Sequence, residues 1–229
     1  MLEAALGKGR VIAGTVTSSV RRKDVGDIVL ERLRGIGVAG THPLSQRIVE
    51  ELDDAYLEPK LYPTPLDMKW SKLLTNLLAN ASSAILNMTP AEIFADWRLF
   101  RLERQQLREA LAVMAKLGIH VVNLPGTPVR WLAFAARSLP AFLSRLLLER
   151  AVGGGRGGKM PSLHIDLYAG KRQSEVDYLN GAVVRFGERV GVPTPVNRLL
   201  NETLLALTRG EVPLETFARQ PKKLLERIG

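Results

Sequence analysis

Four times after residue 63 a threonine is followed directly by proline, at Thr64–Pro65, Thr89–Pro90, Thr127–Pro128 and Thr194–Pro195. Threonine caps a helix N-terminus through its hydroxyl, and proline suits the first helical position, where no amide hydrogen is needed. Each pair therefore reads as a helix start, and a chain punctuated in this way is committed to helix over most of its length. Asp67 and Glu92 stand three residues after their threonines, the spacing of a capping box, and Ser174 with Asp177 repeats the signal. Gly118, Gly191 and Gly210 follow periodic apolar runs, where a left-handed C-terminal cap wants glycine. The pattern predicts helices over 65–87, 90–117, 128–151, 175–190 and 195–208.

The first 63 residues have a different grammar. Arg10–Thr17, Asp27–Glu31 and Gly35–Gly40 are β-rich runs separated by turn residues. Ser45–Leu57 has helical periodicity through Ile48, Val49 and Leu52, and Pro59–Tyr62 reads as a closing strand. The expected division is thus an α/β segment at 1–63 and an all-helical domain at 64–229.

Bulk properties narrow the function classes. A chain of 229 residues can bury a full core. It has no cysteine, which excludes disulfides and thiolate metal sites, and His42, His120 and His164 lack ligand spacing, so no metal is expected. Met1–Gly7 lacks the basic start and long apolar stretch of a signal peptide. The longest apolar region, Trp131–Leu148, is interrupted by Arg137, Pro140 and Arg145, which argues against a membrane span and for a cytoplasmic protein. The formal charge of +9 fits nucleic acid, an anionic surface or an anionic small ligand. Only Arg21–Lys23 and Pro221–Lys223 form basic clusters, and aromatics are 6% of the chain, so nucleic acid is the poorer match.

Within the run Trp70–Asn80, Lys72, Asn76 and Asn80 recur every fourth residue between leucines. On one continuous helix they would share a face, each step climbing about 6 Å. A cation and two amides in register suit an active-site wall, although an ordinary solvated face has the same spacing. A second polar segment runs from Lys159-Met160-Pro161-Ser162 to Asp166, and a third from Ser174-Glu175-Val176-Asp177 to Gly181. In order and spacing, the WxKLxxNxxxN helix, the KMPSxxxD stretch and the SEVDYLNG helix start resemble the ketopantoate reductases (2-dehydropantoate 2-reductases), from about Gly7 to Arg209.

The resemblance implies a Rossmann-type α/β segment followed by a helical domain like the C-terminal domain of 6-phosphogluconate dehydrogenase. It implies NADPH-dependent reduction of 2-dehydropantoate, or a related 2-oxo acid, to the 2-hydroxy acid. The insert from Arg98 to Lys159, longer than in the shortest family members, leaves room for a different 2-oxo acid. By the same resemblance Lys72 is the acid that protonates the carbonyl oxygen, Asn76, Asn80 and Ser162 hold the substrate, and Glu175 closes on substrate and nucleotide. The family's GxGxxG turn does not occur in this sequence, so the expected NADP site is incomplete and a separate N-terminal nucleotide-binding piece is implied as a partner.

Three further readings stay open at this stage. Gly153–Lys159 fits GxxxxGK, but Met160 stands where a phosphate-binding loop needs Ser or Thr, so a flexible basic loop is expected there instead. The Trp131–Leu148 helix is expected to pack in the core, with a homodimer or lid surface as the alternative. The chain as a whole could also be a non-catalytic fragment or a basic helical interaction module.

Overall fold

The computed structural model describes residues 2–156 and 160–228. It comprises an N-terminal mixed α/β segment and a largely helical remainder, as the sequence predicts. By compactness the chain forms two units, 1–72 with 119–130, and 73–118 with 131–229. Compactness is a different criterion from the sequence division at 63/64, because it follows the chain where a later loop returns to the first unit.

The first unit holds two small sheets. In one, β1 (Gly14–Val16) pairs antiparallel with β4 (Ile36–Ala39), and β4 pairs in parallel with β5 (Pro59–Tyr62). Helix α2 (Ser45–Asp54) connects β4 to β5, so these three elements form one βαβ crossover. The other sheet is an antiparallel hairpin of β2 (Ser19–Asp24) and β3 (Asp27–Arg32), turning at Val25–Gly26. A short helix α1 (Leu2–Leu6) precedes them. The β-rich runs of the sequence contain β1, β3, β4 and β5, but Arg21–Lys23 reads only as a basic cluster there; it lies in one strand of the hairpin.

Backbone approaches hold this unit together. Gly35 adopts φ +120°, and a Cβ there would lie 2.2 Å from the Glu58 carbonyl oxygen and 2.6 Å from Pro125 Cβ. A Cβ on Gly37 would lie 2.8 Å from Met68 Sδ, and one on Gly126 2.8 Å from Arg34 Cβ. The Tyr62 hydroxyl donates to the Asn123 carbonyl at 2.8 Å, and burial pushes that hydroxyl's pKa up to about 12. The first turns of α3 (Pro65–Leu77) belong here too: Asp67 accepts from the His120 amide at 2.9 Å, Ser71 from the Val122 amide at 2.9 Å, and the Lys69 ammonium donates to the Gly14 carbonyl. Asp67 thus serves the returning loop.

The second unit is built on side chains. It contains α4 (Ala81–Leu86), α5 (Pro90–Ala95), α6 (Trp97–Lys116), α7 (Val129–Ser138, from Trp131 onward), α8 (Ala141–Arg156) and α9 (Ser162–Tyr168). A 3-10 turn (Glu175–Tyr178), α10 (Asn180–Arg189), α11 (Pro195–Arg209) and α12 (Pro221–Leu225) complete it. Every residue of α4 is buried, and Leu74, Leu77, Phe94, Leu99, Phe100, Leu107 and Leu111 are inaccessible beside it.

Helix breaks are more frequent than periodicity alone predicts. The 65–87 helix divides into α3 and α4 because Ala79 sits at φ +48°, a left-handed conformation that breaks the ladder. The 90–117 helix restarts at Asp96, whose carboxylate accepts from the Arg98 and Leu99 amides. The 128–151 helix divides at Leu139–Pro140, and α8 then continues to Arg156. The loop expected from Gly153 is corrected accordingly: Gly153–Arg156 are helical, and Gly157–Lys159 lie outside the described residues. The start of α5 follows the sequence signal: Thr89 and Glu92 exchange both bonds of a capping box. Thr194 precedes α11 without a side-chain capping bond.

Arginine closes several helix ends. Arg104 and Arg108 on α6 donate to the carbonyls of Ala136, Arg137 and Leu139 at the end of α7. Arg145 donates to Ala95 at the end of α5, at 2.8 Å. Cations there oppose the negative end of the helix dipole.

Candidate active site

Lys72 and Asn76 lie one turn apart on α3, and both are half-buried. Asn80 does not continue their stripe, which is a correction to the single-helix reading. The left-handed Ala79 intervenes, and Asn80 is the residue that caps α4. Its side chain is 4% exposed, and both ends of its amide are engaged. Nδ2 donates to the Asn76 carbonyl at 3.0 Å, and Oδ1 accepts from the Leu163 amide at 3.2 Å.

That second bond places Ser162 in the molecule. Ser162 is the exposed first residue of α9, with Pro161 as its cap, and Leu163 follows it. This serine, outside the helices predicted from the sequence, begins a helix docked on α4. The structure therefore brings Asn76, Asn80 and the Ser162 end of α9 together through Asn80. Glu175 is exposed at the start of the 3-10 turn, where Ser174 accepts from the Val176 amide. That turn packs on α10 and α11. Asp177 is paired with Arg185 at 2.8 Å, and Asp166 with Lys171 at 2.6 Å. Asn180-Gly181, which could read as a hairpin turn, is helical, and a Cβ on Gly181 would lie 2.6 Å from Asp177 Oδ1.

Sequence reasoning missed the support under the break. Glu103 on α6 is fully buried and accepts from the Ala79 amide at 2.7 Å, the Ser82 hydroxyl at 2.5 Å and Gln106 Nε2 at 2.5 Å. Gln106 Oε1 accepts from Asn180, which also donates to Asn197. Asn197 in turn donates to Glu109 at 2.7 Å, and Glu109 further accepts the Val196 and Asn197 amides that open α11. Burial holds the Glu109 carboxyl above its ordinary range, while these donors pull the other way. The available signal was Glu103, Gln106 and Glu109 recurring every third residue on the face of α6 that carries Leu99, Leu102, Leu107 and Ala110.

Among the described residues no group of three His, Asp or Glu could hold a metal ion. A dinucleotide's pyrophosphate needs a glycine-rich turn from strand to helix. The turn from β4 to α2, Gly40–Leu44, has one glycine, and Leu44 offers no side-chain cap. The described residues do not make up a nucleotide cradle. No helix among them is long and apolar enough to cross a membrane.

Comparison with known proteins gives this arrangement a lineage. The 2-dehydropantoate 2-reductase of Pyrobaculum aerophilum is 28% identical over 168 residues, covering 73% of this chain and 53% of that protein. Its counterpart from Archaeoglobus fulgidus is 27% identical over 208 residues, covering 88% and 60%. The chain thus spans between about half and three-fifths of the length of these two curated relatives. A PanE/ApbA family ketopantoate reductase from Ralstonia eutropha shares the fold with a TM-score of 0.72 at 21% identity, over 91% of this chain and 62% of that one. D-mandelate dehydrogenase in complex with NADH gives 0.71 at 19% identity, over 91% and 72%. The family model for the ketopantoate reductase PanE/ApbA C terminus matches residues 66–208, more than half of the sequence, and the chain belongs to that family.

Proposed function

We propose that this chain supplies the substrate side of an NADPH-dependent reduction of 2-dehydropantoate, or a related 2-oxo acid, to the 2-hydroxy acid in the cytoplasm. In such a reduction the carbonyl carbon receives a hydride and the carbonyl oxygen a proton. Negative charge grows on that oxygen in the transition state, so an ammonium group beside it both stabilises and protonates it. Lys72 takes that role. Asn76 and Ser162 hold the substrate's hydroxyl and carboxylate groups, Asn80 acts with them, and Glu175 closes on substrate and nucleotide. Residues 1–63 are read as the end of a nucleotide-binding domain and 64–229 as the helical domain. Because the described residues do not form a pyrophosphate cradle, the nucleotide-binding piece is assigned to a further segment, and this chain's groups are given only substrate-side work.

The observation that supports this reading best is the Asn80 bridge, which joins the Asn76 end of α3 to the helix that begins at Ser162. The test is NADPH-dependent turnover of 2-dehydropantoate by the chain, alone and with the polypeptide encoded next to it. Lys72→Ala should lower kcat/KM by about 10²–10⁴-fold; unchanged turnover would remove Lys72 from the reaction. The likeness to D-mandelate dehydrogenase adds a second substrate to the assay, the aryl 2-oxo acid that corresponds to mandelate. Absence of turnover under every pairing would favour a non-catalytic role.

A further inference from the structure

A helix break needs only a residue that tolerates positive φ, and glycine meets that need at no steric cost. This chain instead has Ala79 at φ +48°, followed at once by Asn80. What holds an alanine there comes from α6. The Glu103 carboxylate, fully buried, accepts from the Ala79 amide and from the Ser82 hydroxyl on the α4 side of the break. Gln106, one turn further on, donates to that carboxylate and, at 3.2 Å, to the carbonyl of Leu77, the last residue of α3. One turn of α6 therefore grips both sides of the break. Apolar packing is non-directional, whereas a satisfied buried polar network fixes one geometry. Taking a carboxylate out of water is costly unless donors replace the water, and here they do so at the break itself.

We propose that Glu103 is a positioning residue for the substrate-side groups. It fixes Ala79, and Ala79 fixes where the chain leaves the break as Asn80. The Asn80 amide then ties the Asn76 carbonyl, at 3.0 Å, to the Leu163 amide, at 3.2 Å. Ser162, next to Leu163, opens α9, so the carboxylate acts on both ends of the bridge through Asn80. This role rests on the reading of Asn76, Asn80 and Ser162 as substrate-binding groups. A shift of about 1 Å in a group that orients substrate costs on the order of 100-fold.

Glu103→Gln tests it, read by amide hydrogen exchange and by calorimetric binding of 2-dehydropantoate to the chain. Glutamine keeps the volume but meets the Ala79, Ser82 and Gln106 donors with a single oxygen and an amide group that cannot accept. The Leu163 amide should exchange at least about 10-fold faster, while the Leu107 amide within α6 stays unchanged. The Kd for 2-dehydropantoate should rise by about 10–100-fold. Adding Ala79→Gly, which removes the steric cost of the positive φ, should recover part of both. A Glu103 that serves only stability would lower the melting temperature and leave Kd unmoved, since Kd reports the molecules that remain folded. If Glu103→Gln does not fold, Ser82→Ala removes one donor to the carboxylate and should move exchange and Kd the same way by less. The proposal is overturned by an unchanged Leu163 amide, by an unchanged Kd, or by a double variant no better than Glu103→Gln alone. A wild-type chain that binds no 2-dehydropantoate would overturn the substrate reading, and with it this role, while the Leu163 response would still register the hold of Glu103 on the break.

Discussion

The two units of this chain reach stability by opposite routes. In the first, short strands and a returning loop come close because glycines let main chain approach main chain, as at Gly35 beside the Glu58 carbonyl. Much of its apolar surface stays in water: Val20, Ile28 and Leu30 of the hairpin are all exposed. In the second, helices close over a set of fully buried large side chains, and a polar network from Glu103 to Asn197 ties α6, α10 and α11 together. A region assembled by backbone clearance should be sensitive to any added atom, and one assembled by side-chain volume to any lost atom.

The largest effect is expected where volume is lost. Phe100, inaccessible and 6.1 Å from the Phe94 ring, should cost about 3–5 kcal/mol when replaced by alanine, and less than about 1.5 kcal/mol when replaced by leucine. Urea unfolding followed by tryptophan fluorescence gives both numbers; equal costs would mean that volume is not what holds this unit. The next effect belongs to the first unit. Gly35→Ala should cost about 3 kcal/mol, from the positive φ together with the clash against Glu58, and Gly35→Ser should not recover it. A neutral Gly35→Ala would erase the contrast between the two routes.

The smallest effect concerns the buried network. Because burial raises the folded-state pKa of Glu109, the native state holds its proton more tightly than the unfolded chain does. The associated stabilisation is complete below the ordinary value of 4.5 and is lost as pH rises through the folded value. Glu109→Gln should therefore flatten the fall in unfolding free energy from pH 4.5 upward. An unchanged slope would assign that pH dependence to other groups.

Much of the fold was legible because its signals are local. The capping box at Thr89–Glu92 and the glycines at 118, 191 and 210, all with positive φ, stand where the sequence places them. What was not legible depends on partners distant in sequence. Nothing near Ala79 announces a left-handed residue; the break is supported by Glu103, 24 positions later, and stabilises only in the assembled unit. The same holds for Asn80. Its fourfold spacing from Asn76 read as a shared helical face, yet the spacing is satisfied by a side-chain bond to the Asn76 carbonyl across the break. The hairpin strand Ser19–Asp24 was hidden by Arg21–Lys23, whose charges read as a surface cluster until pairing with Asp27–Arg32 is seen.

The arginines at the helix ends bear on the chain's basic character as a whole. Summing formal charges gives +9 and suggests a surface waiting for an anion. That sum assigns zero to the peptide groups, although each helix C-terminus carries roughly half a negative charge on its open carbonyls. Arg104, Arg108 and Arg145 already face such carbonyls. Each helix N-terminus carries the matching positive half, so the net charge stands, but these three cations are held on main-chain carbonyls and the excess is not one uniform patch.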